Sequence, residues 1–215
     1  RRGLADKTIV IFIGDNGYYM GERGFAGKWS HYEESLRVPL IIYDPRIVGA
    51  ARGRVTESIV LNNDIAPTIL AATGVAAPLA TAGHSLIDDV PIREGFYCEH
   101  RMRHDHLPRW EGYRTATHKY ARYLDVTGPR EFLYDLAGDT DELVNLAPDR
   151  SHRQTLRAMR NACNSGGTAF AAASTHLPRV LLLGDSISMG YHQTVVDALE
   201  HEAVVMRPRE NCAGT

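Results

Sequence analysis

The chain lacks an excess of either charge. Its 24 basic residues face 26 acidic ones for a net charge of −2, so it has no basic surplus of the kind that binds nucleic acid or an anionic membrane. No apolar run approaches the roughly 18 consecutive residues of a spanning helix, and the longest apolar clusters are strand-sized. Cysteine is scarce. Cys98, Cys163 and Cys212 lie far apart, without the spacing of a thiolate zinc site or of a disulfide framework. The chain opens on Arg1 rather than Met, and no signal-peptide pattern precedes the first strand-like run, so a start further upstream is expected. Composition leaves the compartment open, with a periplasmic or secreted parent protein expected. The rest, 44% hydrophobic and 23% charged over 215 residues, suits a globular protein of one or two domains.

Thr8 to Ile13 is a continuous β-branched and aromatic run, the pattern of a strand covered on both faces in an α/β sheet, and Val38 to Tyr43 reads likewise. Between Asn62 and Gly74 the pattern turns helical: Asp64 can cap, Pro67 fits a first turn, Ile65, Ile69 and Leu70 share a face, and Gly74 ends it. Gly95 to Cys98 reads as a short strand, Tyr113 to Leu124 as a half-exposed strand, and Glu131 to Leu136 as its partner after Gly128-Pro129, which together predict a small antiparallel sheet. Asp149 to Asn161 predicts a helix capped by Asp149 or Ser151, with Leu156 and Met159 inward. The small residues of Asn164 to Ala173 read as a linker. A new strand, Arg179 to Leu183, and a helix, Tyr191 to His201, then open a second α/β unit. The expected organisation is a first domain over 1–160, a linker over 161–178 and the start of a second domain over 179–215.

Ligands in open α/β sheets collect at the carboxyl ends of strands, which is where Asp15 and Asn16 stand, directly after Ile13 and Gly14. A carboxylate and an amide oxygen suit a hard cation such as Ca²⁺ or Mg²⁺, although two donors are only part of a shell. Lys28 supplies an ammonium suited to the oxygens of a sulfate or phosphate ester, where charge grows as the bond breaks. The alternative for Asn16-Gly17 is a plain turn, and for Lys28 a solvated surface charge.

The longer run from Thr8 through Gly14-Asp15-Asn16-Gly17 and Gly21-Glu22-Arg23-Gly24 to Gly27-Lys28-Trp29-Ser30-His31, with Glu33, Glu34 and Arg37, resembles the second half of type I, formylglycine-dependent sulfatases. The match continues through Asn63-Asp64, Trp110 to Thr115, His118 to Tyr123, Glu131 to Leu136 and Asp141 to Ala147, and covers about three quarters of the chain. The resemblance implies a partial alkaline-phosphatase-like α/β sheet with a small carboxyl-terminal antiparallel subdomain. It implies Ca²⁺ on Asp15 and Asn16, sulfate contact by Lys28, and a sulfated polysaccharide as substrate. His31 lines the substrate pocket on one reading and is a hydrogen-bonded structural histidine on the other. His100 stands where related polysaccharide sulfatases carry substrate-facing residues, and with His104 and His106 it forms a cluster suited to sugar contact, to metal binding or to plain loop surface. Arg23 replaces a histidine of many relatives, so a pocket contact differs there. The Cys-X-Pro-X-Arg motif that becomes formylglycine is absent from these residues, so the chain by itself is expected to be inactive. A phosphatase or phosphomutase of the same superfold and a non-catalytic sulfated-glycan-binding module remain alternatives.

Val180 to Leu183 runs into Gly184-Asp185-Ser186-Ile187-Ser188, which places Ser186 at a strand-to-helix turn. Helix capping is the ordinary role of such a serine. With Asn211 to Thr215, however, the segment resembles the first blocks of SGNH hydrolases, a flavodoxin-like family that includes carbohydrate esterases. That resemblance, confined to residues 179–215, implies Ser186 as nucleophile and the Gly214 backbone N–H in the oxyanion hole. Their Asp-X-X-His base would lie beyond Thr215. A sulfatase joined to such an esterase would act on a polysaccharide that is both sulfated and acylated.

Overall fold

The computed structural model describes residues 3–77, 83–87, 93–102, 105–128 and 130–174. The chain separates into two units, Arg1–Ala77 with Thr81–Thr168, and Pro78–Ala80 with Ala169–Thr215. Of the second, the described residues include only helical backbone through Ser174.

The apolar run near the start forms β1 (Val10–Ile13), which pairs antiparallel with β4 (Leu40–Tyr43) in the register Val10↔Tyr43 to Ile13↔Leu40. Cross-strand partners share a face, so Val10, Phe12, Ile41 and Tyr43 line one side. That side is exposed, with Phe12 at 59% and Ile41 at 62%. Among the described residues, little covers that side. Only the side carrying Ile11, Ile13, Leu40 and Ile42 is partly covered by the described residues. Between these strands, β2 (Tyr19–Met20) pairs with β3 (Ala26–Gly27), turning the chain back on itself before the one-turn helix α1 (Glu33–Leu36).

Helix α2 (Ile65–Thr73) ends on Gly74 at φ 72, as its sequence predicts. Its buried face differs: Pro67 and Thr68 are covered, whereas Ile69 is exposed. Asp64 does not cap α2 with its side chain. Fully buried, it accepts hydrogen bonds from the Leu61 and His84 backbone N–H groups and pairs with Arg93. Burial works to raise its pKa, but Arg93 and these donors outweigh it and hold the carboxyl below its usual range.

The antiparallel sheet takes the order β5 (Gly95–His100), β6 (Trp110–Thr115), β7 (His118–Tyr123) and β8 (Glu131–Asp135). The stretch expected as one strand from Tyr113 to Leu124 is a hairpin. Its turn, Ala116-Thr117, has none of the Gly or Asn that flags a two-residue turn. Thr115 Oγ1 closes it instead, accepting from His118 N–H at 2.9 Å and donating to His118 O at 3.1 Å. The core lies between Tyr120 and Leu133 of this sheet and Leu156, Met159 and Cys163 of α3 (Arg153–Ser174). Asp149 Oδ1 accepts from Ser151 N–H at 2.8 Å and caps the entry to α3. The helix runs past Asn161 and through the segment read as a linker. Alanine is the best helix former, which favours this continuation. Gly166 serves close packing there, because a Cβ would sit 2.7 Å from the Tyr97 Cβ.

A polar seam joins α1 to the sheet. Lys119, fully buried on β7, places Nζ 2.9 Å from Glu33 Oε1 and 2.6 Å from Glu142 Oε1. Arg114 also pairs with Glu33, and Glu142 Oε2 accepts the Glu33 backbone N–H at 2.8 Å. Burial works to raise the Glu33 pKa, but Lys119 and Arg114 hold it low. For Glu142 burial wins, and its pKa is raised in spite of Lys119.

Candidate functional site

The end of β1 leads into Gly14-Asp15-Asn16-Gly17, and the fold fixes this turn from two sides. Gly17 N–H donates to Ser35 O at 2.9 Å, and a Cβ at Gly17 would lie 2.0 Å from Glu34 O, so the backbone approaches α1 more closely than any other residue allows. Asn62 Nδ2 donates to Gly14 O at 3.1 Å and to Asp15 O at 2.8 Å. Sequence reasoning missed this last contact, whose only local sign is a second asparagine ahead of Asn63-Asp64.

Pairing of β2 with β3 returns Lys28 to the strand end, where its Nζ donates to Asn16 Oδ1 at 2.8 Å. Asn16 Nδ2 is held by Gly17 O at 2.8 Å, which orients the amide with its oxygen toward the ammonium. Asp15 is exposed, and its Oδ1 accepts the Asn16 backbone N–H at 2.9 Å. The amide and the ammonium are therefore in contact at one strand end, and the carboxylate stands on the neighbouring residue. As metal ligands they fit part of a shell. Ca²⁺ takes roughly six to eight oxygens, and Asp15 and Asn16 offer two residues' worth, the Asn16 oxygen keeping a second lone pair beside the Lys28 contact. No group of three or more His, Cys, Asp or Glu among the described residues could hold a metal alone.

Trp29, next to Lys28, has φ 86, a left-handed backbone uncommon for a bulky side chain. Its N–H donates to Ser35 Oγ at 2.8 Å and its carbonyl accepts from Trp110 Nε1 at 2.6 Å. Its indole stacks on His100 with centroids 5.7 Å apart, and Lys28 Nζ lies 6.0 Å from the indole centroid. His100 and Lys28 thus share the Trp29 indole as a neighbour.

Arg23, expected at a substrate contact, is engaged within the protein. Its Nε donates to Glu34 Oε1 at 2.9 Å and its terminal nitrogens to the carbonyls of Glu142 and Asp141, while the guanidinium lies 4.0 Å over the Tyr32 ring. These acceptors make it a tie between distant segments. His31 is 1% exposed, its Nδ1 2.8 Å from the Tyr123 hydroxyl, among the rings of Tyr32, Trp110, Tyr123, Phe132 and Tyr134. Burial first, with the charges of Lys119 and Arg23, depresses its pKa well below the usual value. Of its two readings, this interior setting is that of the hydrogen-bonded structural histidine. Burial pushes the Cys98 thiol up to about 12 and the Cys163 thiol up to about 11, so neither is a ready thiolate. Ser186, Gly214 and His104 lie outside the described residues.

The same chain resembles known sulfatases along most of its length. Residues 21–166 match the family described as N-sulphoglucosamine sulphohydrolase, C-terminal. An N-acetylglucosamine-6-O-sulfatase of Bacteroides thetaiotaomicron is 33% identical over 156 residues, covering 67% of this chain and 27% of the relative. A solved structure in complex with its substrate, D-glucosamine-2-N,6-O-disulfate, superposes with a TM-score of 0.71 at 26% identity, covering 79% of this chain and 36% of the other. The phosphonate monoester hydrolase of Agrobacterium radiobacter superposes with a TM-score of 0.65 at 26% identity, over 78% and 36% of the two chains. The chain spans 27% to 41% of the length of the first curated relatives it matches. With the strand-end turn, the returning lysine and the antiparallel sheet in this order, the chain belongs to the carboxyl-terminal N-sulphoglucosamine sulphohydrolase family, within the alkaline-phosphatase-like sulfatases.

Proposed function

We propose that this chain supplies the anion-gripping side of a sulfatase site acting on sulfated, glucosamine-containing polysaccharide. The observation that carries this reading is the Lys28 ammonium, held 2.8 Å from the amide oxygen of Asn16 beside the Asp15 carboxylate. Lys28 attracts a sulfate oxygen and stabilises the charge that builds on the ester as it breaks. Asp15 and Asn16 are the residues that would hold Ca²⁺, which when bound would supply further positive charge to the ester oxygens. His100, stacked on Trp29 beside the lysine, is suited to contact the sugar. The formylglycine nucleophile would come from residues outside this chain, because no Cys-X-Pro-X-Arg motif occurs in it. Residues 179–215 are proposed as the start of a serine carbohydrate esterase, on the strength of Gly184 to Ser188 and Asn211 to Thr215.

The test is titration of the full chain with inorganic sulfate and with glucosamine 6-sulfate, with and without CaCl₂, followed by NMR shifts at Asn16 and Lys28. Binding is expected to strengthen with calcium, to exceed that of phosphate, and to vanish in Lys28→Ala. A preference for phosphate would favour the phospho-ester reading, to which the likeness to a phosphonate monoester hydrolase lends weight. Unchanged binding in Lys28→Ala would remove the assignment.

A further inference from the structure

We propose that Trp110 and Ser35 are positioning residues for Lys28, acting through the left-handed backbone of Trp29. This deepens the reading of Lys28 as the anion-gripping group and rests on it. Arg23 and Glu142 are the other described non-glycine residues at positive φ, at 56 and 50, close to the left-handed minimum. Trp29 lies beyond it at 86 and carries a far bulkier group at Cβ. Such a conformation persists only where surrounding structure holds it, and it concentrates at functional sites.

The holding groups are specific. The Ser35 hydroxyl of α1 takes the Trp29 N–H, and the Trp110 indole N–H of β6 donates to the Trp29 carbonyl. Both side chains are more than nine-tenths buried. Two elements from distant parts of the sequence thus fix the two peptide groups of one residue. The reversal they hold lets Lys28 stay against Asn16 while the next two residues turn inward, Ser30 to the Tyr19 hydroxyl and His31 to the aromatic interior. Without either clamp, Trp29 can relax to negative φ. The peptide between residues 28 and 29 would then rotate, and the ammonium would lose its fixed position.

The experiment uses Trp110→Phe and Ser35→Ala in the full chain. Two readouts are taken well below the thermal midpoint: the Asn16 side-chain amide and Lys28 ammonium signals in NMR, and the affinity for inorganic sulfate. Each variant is expected to shift the Asn16 and Lys28 signals and to weaken sulfate binding about tenfold, the size of one net hydrogen bond. Glycine adopts positive φ without clamps, so adding Trp29→Gly to Trp110→Phe should return binding to the level of Trp29→Gly alone. A lowered thermal midpoint with unchanged Asn16 and Lys28 signals and unchanged affinity, in either variant that folds, would overturn the proposal. Sulfate binding that persists in Lys28→Ala would instead overturn the reading of the lysine, and the NMR signals would still decide whether the clamps hold it.

Discussion

The four-stranded sheet and the β1–β4 ribbon bury their apolar residues to different degrees. Tyr120 and Leu133 are fully covered under α3, whereas Phe12 and Ile41 stand more than half exposed. Yet the residues proposed to grip an anion, Asp15, Asn16 and Lys28, sit at the end of the ribbon, and the sheet reaches this segment through polar contacts and through the stacking of His100 on Trp29. Trp110 holds the Trp29 carbonyl, Lys119 and Arg114 hold Glu33, and Arg23 holds Glu34 and the carbonyls of 141 and 142. The best-buried part of the molecule and the proposed site are therefore different parts. Directional, geometry-sensitive interactions rather than bulk burial set where the site lies.

The seam is where this contrast breaks most sharply. Lys119→Met would leave Glu142 without its nearest cation and Glu33 with Arg114 alone, and a loss of about 3–5 kcal/mol is expected in urea denaturation. A loss below about 1 kcal/mol would show that the seam contributes little. Leu133→Ala, in the core beneath α3, is expected to lose about 3 kcal/mol by the same measurement, because a buried cavity replaces the side chain. Sulfate affinity should stay at the wild-type level wherever the variant is folded.

The next effect depends on pH. His31 stays neutral in the folded chain while the unfolded chain takes up a proton below about pH 6.5. Stability is therefore full above that value and falls as pH drops through it, by up to about 1.4 kcal/mol per unit. Glu142, with its raised carboxyl pKa, acts in the opposite direction as it protonates in the folded state first. Denaturation of wild type and His31→Phe at pH 7.5, 6.5 and 5.5 separates the two, since the histidine slope should disappear from the variant alone. The smallest effect is expected on the ribbon's open face. Phe12→Ser should change stability by no more than about 0.5 kcal/mol, and a larger loss would mean that this face is packed in solution.

Local chemistry made several elements readable. The apolar run before Gly14 gave β1, Gly74 marked the end of α2, and Asp149 marked the start of α3. The hairpin at Ala116-Thr117 was hidden because its turn is closed by a threonine side chain. The extent of α3 was hidden because Gly166 suggests flexibility until Tyr97 is seen packed against it. Of the proposed site, Asp15, Asn16 and Lys28 were legible from their order along the chain. Trp110 and Ser35 were not, since neither carries a signal linking it to Trp29.

The sequence by itself determined the family, the strand end that carries the acid and amide, and the lysine that returns to it, because these follow from near-neighbour patterns in a specific order. Only the tertiary structure decided that Arg23 is a tie, that His31 is interior and that Trp29 is clamped. The tie from Arg23 to Glu142 spans 119 positions, that from His31 to Tyr123 spans 92, and that from Trp29 to Trp110 spans 81. A long or aromatic polar side chain takes its direction from the partner it finds, and over such separations only the folded chain supplies one.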